Sequence, residues 1–154
     1  MAKVNVLTLI GGILGTAGGA LLMISAILSL SQLAEVNIIL ASEGTTWADL
    51  GINEGSVNGI LYSTLILGIA CVIFGITAIK EIKISPIILL AIGAYVFVGY
   101  LVPVYQEYLH VGSYYLWLYA NLVQTMLGYG DPIFLISGGV LSLIGVLKAK
   151  RQES

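Results

Sequence analysis

The chain has 154 residues, 58% of them apolar and only 9% charged, with a mean hydropathy of +1.02 and a formal net charge of -2. A soluble domain carries about a quarter of its residues charged, so this composition excludes an ordinary water-soluble fold and describes an integral membrane protein. The basic residues stand at three places: Lys3, the pair Lys80 and Lys83, and the cluster Lys148, Lys150 and Arg151. They form no patch suited to nucleic acid.

The length allows a single transmembrane domain over 1–154. Lys3 opens an apolar run that continues to about Leu33, too long for the core of a cleaved signal peptide. It reads as a first membrane span over about 5–31. Gly11, Gly15 and Gly19 recur on one face, with Gly12 and Gly18 beside them. Lipid is as apolar as leucine, so helices in a bilayer associate through close contact of small residues. The series therefore predicts packing against other helices of the chain or contact with another subunit.

Residues 32–58 form the first outer segment. Val36–Leu40 is apolar and β-branched, and Ser42–Gly59 is polar and rich in turn residues. Thr46-Trp47-Ala48-Asp49 fits a capping box that would open a short helix at Trp47, which Gly51 would soon end. A small ordered cap over the bundle is the expectation.

The second span, about 59–79, carries Thr64, Gly68, Cys71, Gly75 and Ala78 at helical spacing. Cys71 is the sole cysteine; it reads as a small packing residue, and no intramolecular disulfide can form. Lys80-Glu81-Ile82-Lys83 permits only a tight helical hairpin into a third span, about 85–105, which Pro103 is expected to kink or end.

Residues 106–131 form the second outer segment. Its stretch Tyr108–Gly130 is fairly apolar, but a fifth crossing would put the basic C-terminal cluster on the acidic side, against the positive-inside rule. An interfacial or re-entrant amphipathic helix over about 113–127 is expected instead. Its Tyr114, Tyr115, Trp117 and Tyr119 have the amphipathic rings that settle at headgroup depth. His110, the sole histidine, reads as a polar group at that interface. Metal and haem sites need several convergent donors, so neither metal nor cofactor is expected.

Thr125-Met126-Leu127-Gly128-Tyr129-Gly130-Asp131 resembles the selectivity-filter signature of potassium channels, Thr-Val-Gly-Tyr-Gly-Asp, with Met126 and Leu127 where the family has Thr and Val. The resemblance is confined to this segment. It implies a passive tetrameric pore in which backbone carbonyls of Gly128, Tyr129 and Gly130 replace the ion's water shell, with Asp131 at the outer mouth. The other reading of the same residues is a glycine turn that closes the interfacial helix.

The final span, about 132–148, starts at Pro132, carries Gly138, Gly139, Ser142 and Gly145, and leaves through the basic tail. With every base on one side, both termini and the hinge at 80–83 are cytoplasmic, and 32–58 and 106–131 are extracytoplasmic. The fold class is thus an all-α, four-transmembrane-helix bundle, multi-pass in the cell membrane. Its arrangement resembles claudins and tetraspanins in topology alone; their cysteine and tryptophan signatures are absent, so no function is implied.

None of the four spans carries an Asp, Glu, Lys, Arg or His away from its ends, whereas pumps and ion-coupled transporters place such groups at mid-membrane. The chain also has no paired nucleophile and base and no phosphate loop. The expectation is a non-catalytic protein: a structural or accessory subunit of a respiratory or envelope complex, or a homo-oligomer. Its partners would be the bilayer and other membrane chains or copies of itself. Gly11, Gly15, Gly19, Gly68 and Gly75 are the candidate packing or oligomer contacts, and the potassium-type pore at 125–131 is the alternative. High isoleucine, valine and tyrosine with scarce cysteine suit a prokaryotic source, archaea included.

Overall fold

A computed structural model describes residues 5–50, 53–109 and 130–153. Among these residues the protein is all-helical, with α1 at Val6–Ser42, α2 at Glu54–Ile79, α3 at Ser85–Leu109 and α4 at Gly130–Glu153. Val6–Ser42, Val57–Ile79 and Pro132–Ala149 are each long and apolar enough to cross a membrane; the apolar stretch Ser85–Val98 within α3 is shorter.

Local sequence explains the ends. Asn5 caps α1 by accepting a hydrogen bond from the Leu7 N–H at 3.1 Å, which satisfies one of the donors a helix start leaves open. Pro86 and Pro132 lie in the first turns of α3 and α4, where a missing N–H costs nothing. The C-termini of α1 and α2 share one device. In α1, Gly44 adopts φ 67° while its N–H bonds Ala41 O and the Thr45 N–H bonds Leu40 O. In α2, Glu81 adopts φ 61° while its N–H bonds Ala78 O and the Ile82 N–H bonds Thr77 O. Both are Schellman caps, in which the left-handed position usually goes to glycine. At the second the chain has a glutamate.

The helices overrun the expected spans. At 37 residues, α1 is about 55 Å long, against roughly 30 Å of hydrocarbon. Val36–Leu40, expected in the outer segment, continues the helix because it has a surface to lie on. Leu33, Trp47 and Leu61 form a buried cluster, with Leu30, Val36, Leu40 and Val57 packed against it. Pro103 does not end α3, which runs on to Leu109.

In the bundle α1 lies between α2 and α4, and α3 closes the ring mainly against α4 and less against α2. Leu22, Cys71, Ala78, Leu89 and Leu135, one or two from each helix, make the central core. At one end, Asn5 Nδ2 donates to Gly145 O at 2.8 Å, and the Thr8 hydroxyl lies 3.5 Å from Glu81 Oε1. The starts of α1 and α3 and the ends of α2 and α4 therefore share a level, and with them Lys80, Lys83 and Lys148. At the opposite end Asn37 Nδ2 donates to Glu54 Oε1 at 3.4 Å, so the C-terminal turns of α1 and the start of α2 meet among Glu35, Glu43, Asp49 and Glu54.

Candidate functional site: the glycine crossings and the outer cap

The helices approach through residues with no side chain. A methyl group added at Gly75 would fall 2.5 Å from the Thr16 nitrogen, and one at Gly19 would fall 2.7 Å from that of Val72. Added at Gly68 it would lie 2.9 Å from the Met23 nitrogen, and at Gly11, 2.5 Å from the Ser142 nitrogen. At Gly15 it would reach 2.7 Å from Leu89 Cδ1, the α3 side chain that crosses the ring. Real β-carbons do not come so near to backbone, so at these crossings the helices meet main chain to main chain. All five glycines singled out from sequence face other helices of the same chain. Isoleucine takes the opposite direction: Ile13, Ile66, Ile87 and Ile133 are each more than half exposed.

Serine and threonine in the helices bond inward to their own backbones. Thr16 Oγ1 donates to Gly12 O at 2.8 Å, Ser63 Oγ to Ile60 O at 2.8 Å and Ser137 Oγ to Ile133 O at 2.6 Å. This is the usual way to satisfy a hydroxyl where lipid offers no partner. Ser142 differs: fully buried against Gly11, its Oγ has no hydrogen-bond partner among the described residues.

The cap at the acidic end of the bundle is built on Trp47. Its indole N–H donates to Asn37 Oδ1, and Asn37 in turn reaches Glu54, so one amide links loop, α1 and α2. The turn carrying Trp47 is fixed by the capping pattern read from sequence. The Thr46 N–H and hydroxyl both donate to Asp49 Oδ2, at 2.8 and 2.6 Å, and the Asp49 N–H donates to Thr46 Oγ1 at 3.3 Å. The result is a single turn over 47–50 rather than a helix. The Thr46 hydroxyl, and then its backbone N–H, hold the Asp49 carboxyl below the usual aspartate value. Beside this turn opens a cleft of about 880 Å3, lined among others by Asn37, Leu40, Thr46, Trp47, Asn53 and Glu54. A second, apolar groove of about 420 Å3 separates α2 from α3 between Ser63, Leu67, Ile92 and Tyr95.

Of the other sequence-derived candidates, Tyr114, Tyr115, Trp117 and Tyr119, the helix expected over 113–127, His110, Gly128 and Tyr129 lie outside the described residues. Gly130 and Asp131 are the first two residues of α4, a helical backbone unlike that of a carbonyl filter. Sequence reasoning missed Asn37. Its signal is a lone amide inside the apolar run Val36–Leu40, ten residues before a tryptophan.

No family model, curated protein or solved structure matches the chain.

Proposed function

We propose that the protein is a non-catalytic, multi-pass component of the cell membrane, a structural or accessory subunit of a larger membrane complex or a self-assembling one. In this reading all four helices cross, with both termini and the 80–83 hinge cytoplasmic. The support for that orientation is the sorting of charge: Lys80, Lys83 and Lys148 share one end of the bundle and Glu35, Glu43, Asp49 and Glu54 the other, as the positive-inside rule requires.

The observation that carries the reading is the main-chain contact at Gly11, Gly19, Gly68 and Gly75. A bundle closed this tightly from within is a rigid scaffold, so what it does falls to its outside. There the isoleucine faces and the groove between α2 and α3 offer apolar surface to lipid or to a neighbouring helix. Van der Waals fit between such surfaces is the main force available for helix association in lipid.

Two measurements test this. Mild solubilisation followed by native mass spectrometry should find the chain in a heteromer or in a fixed number of copies; a lone monomer in every gentle detergent would overturn the subunit role. For orientation, Gly44→Cys and Ile82→Cys in a Cys71→Ala background should be labelled from opposite sides of intact cells, the first from outside.

A further inference from the structure

We propose that the face of α2 and α3 rising from the 80–83 hinge binds an anionic phospholipid of the cytoplasmic leaflet. The inference rests on the membrane placement proposed above and names the occupant of the α2–α3 groove. Two exposed apolar stripes run up from the hinge. On α2, Ile76, Ile73, Ile69 and Ile66 stand above Lys80 at alternating spacings of four and three, which keeps them on one helix face. On α3, Ile84 and Ile87 lead from Lys83 to Ala91 and Tyr95. The stripes meet at the groove of about 420 Å3, which Ile66, Ala91 and Tyr95 help to line. Nearer the hinge the two helices touch, with the Thr77 and Ser85 hydroxyls 2.8 Å apart. Ser63 at the groove already donates to Ile60 O, so this surface suits hydrocarbon.

Charge at the foot of the stripes selects the headgroup. Lys80 and Lys83 are exposed, and neither forms an ion pair among the described residues. Glu81, between them, turns its carboxylate toward Thr8 of α1. Helix α3 starts two residues after Lys83, so the positive end of its dipole faces the same place. A phosphate set there meets two ammonium groups, and lysines at the cytoplasmic edge of a membrane attract anionic lipid. A zwitterionic headgroup, with no net charge, gains much less.

The depth of the groove matches the tail of such a lipid. Ala91 lies about 12 Å along α3 from Lys83, and Ile66 about 21 Å along α2 from Lys80. Half of the hydrocarbon thickness is roughly 15 Å, so the groove lies around the midplane. That is where the chains of a lipid held at the hinge come to an end. Lys148 shares the basic end of the bundle but stands on α4, which takes no part in lining the groove.

The test offers equimolar phosphatidylglycerol and phosphatidylcholine to the full-length chain in mild detergent and reads the adducts by native mass spectrometry. Phosphatidylglycerol should be retained about tenfold better, and Lys80→Gln with Lys83→Gln should abolish that preference. Ala91→Phe fills the groove, leaves both lysines and should lower retention about fivefold, the scale of one or two methylenes displaced. Ile66→Phe repeats the groove test from the other wall. Lys148→Gln removes a charge from the same end and should leave retention unchanged. All these side chains are exposed, so the variants should keep the thermal midpoint of the parent. Equal retention of both lipids, a loss in Lys148→Gln as large as in the lysine pair, or full retention by both groove variants would each overturn the proposal. So would a dimer that persists in excess phosphatidylglycerol and that Ala91→Phe dissociates, because a second copy would then fill the groove. None of these outcomes depends on which side the hinge faces, so failure here is separable from failure of the orientation, which the labelling at Ile82→Cys judges.

Discussion

Trp47 donates its indole N–H to the side-chain oxygen of Asn37, and this contact seats the turn over 47–50 on α1. The ring is 7% exposed and packs with Leu33 and Leu61. Trp47→Ala removes both the ring and the donor and should cost about 3 kcal/mol, as deletion of a buried aromatic does. Trp47→Phe keeps most of the volume, strands the Asn37 oxygen and should cost about 1 kcal/mol. Denaturant unfolding in detergent measures both, and an unfolding midpoint unmoved by Trp47→Ala would show the seat to be idle.

The glycines divide into two kinds. Gly75→Leu would drive a side chain into the Thr16 backbone, whereas no atom of the described residues lies within 4 Å of the space a β-carbon at Gly59 would fill. Gly75→Leu should therefore abolish the folded monomer on size exclusion. Gly59→Ala should raise the unfolding midpoint, because alanine is favoured over glycine by about 1 kcal/mol inside a helix.

Glu81 occupies the left-handed position that glycine fills at the end of α1. A side chain there costs about 1–2 kcal/mol, and the compensating approach of its carboxylate to Thr8, at 3.5 Å, is too long to be a strong hydrogen bond. The strain outweighs the contact. Glu81→Gly should stabilise the protein by about 1 kcal/mol, and Glu81→Val, whose branched β-carbon suits the position least, should destabilise it. Thermal unfolding of the two variants decides the sign.

Ser142→Ala should be neutral or stabilising by about 1 kcal/mol, since it removes a buried hydroxyl that has no partner among the described residues and whose desolvation costs free energy in the folded state. Ser142→Val adds bulk against Gly11 and should destabilise. If Ser142→Ala loses stability, the hydroxyl has a partner in the membrane, which hydrogen exchange of the Gly138 and Gly11 region would locate.

The Thr46–Asp49 turn sets a pH dependence. The folded carboxyl lies below its ordinary value of 3.8 because the Thr46 hydroxyl and N–H favour the charged form. The contribution of the turn is therefore complete above 3.8 and is lost as pH falls through the lower folded value. Acidification past 3.8 should shift Trp47 fluorescence as the turn loosens, and Asp49→Asn should show the shifted spectrum already at neutral pH.

That the chain is helical and apolar enough for a membrane, and which end of each helix carries charge, was legible in the residues alone. The reason is the solvent: in lipid every backbone group must be bonded within its own helix, so long uncharged runs can only be helices. The break at 80–84 announces itself through the charged hinge, and the Thr46–Asp49 pairing was legible in the residues, although it makes a turn and not the short helix expected there. What each helix faces was not. A soluble helix shows its buried side by contrast with a polar one, but here inside and outside are both apolar. That Gly11 meets Ser142, Gly75 meets Thr16 and Leu89 reaches Gly15 depends on pairings between residues far apart in the chain. The same holds for the continuation of α1 beyond residue 31, which needs Trp47 and Leu61 to cover Leu33, and for the seat of Trp47 on Asn37. These were decided only by the tertiary structure, because close contact between distant small residues, and not a local pattern of polarity, fixes how helices turn toward one another in a membrane.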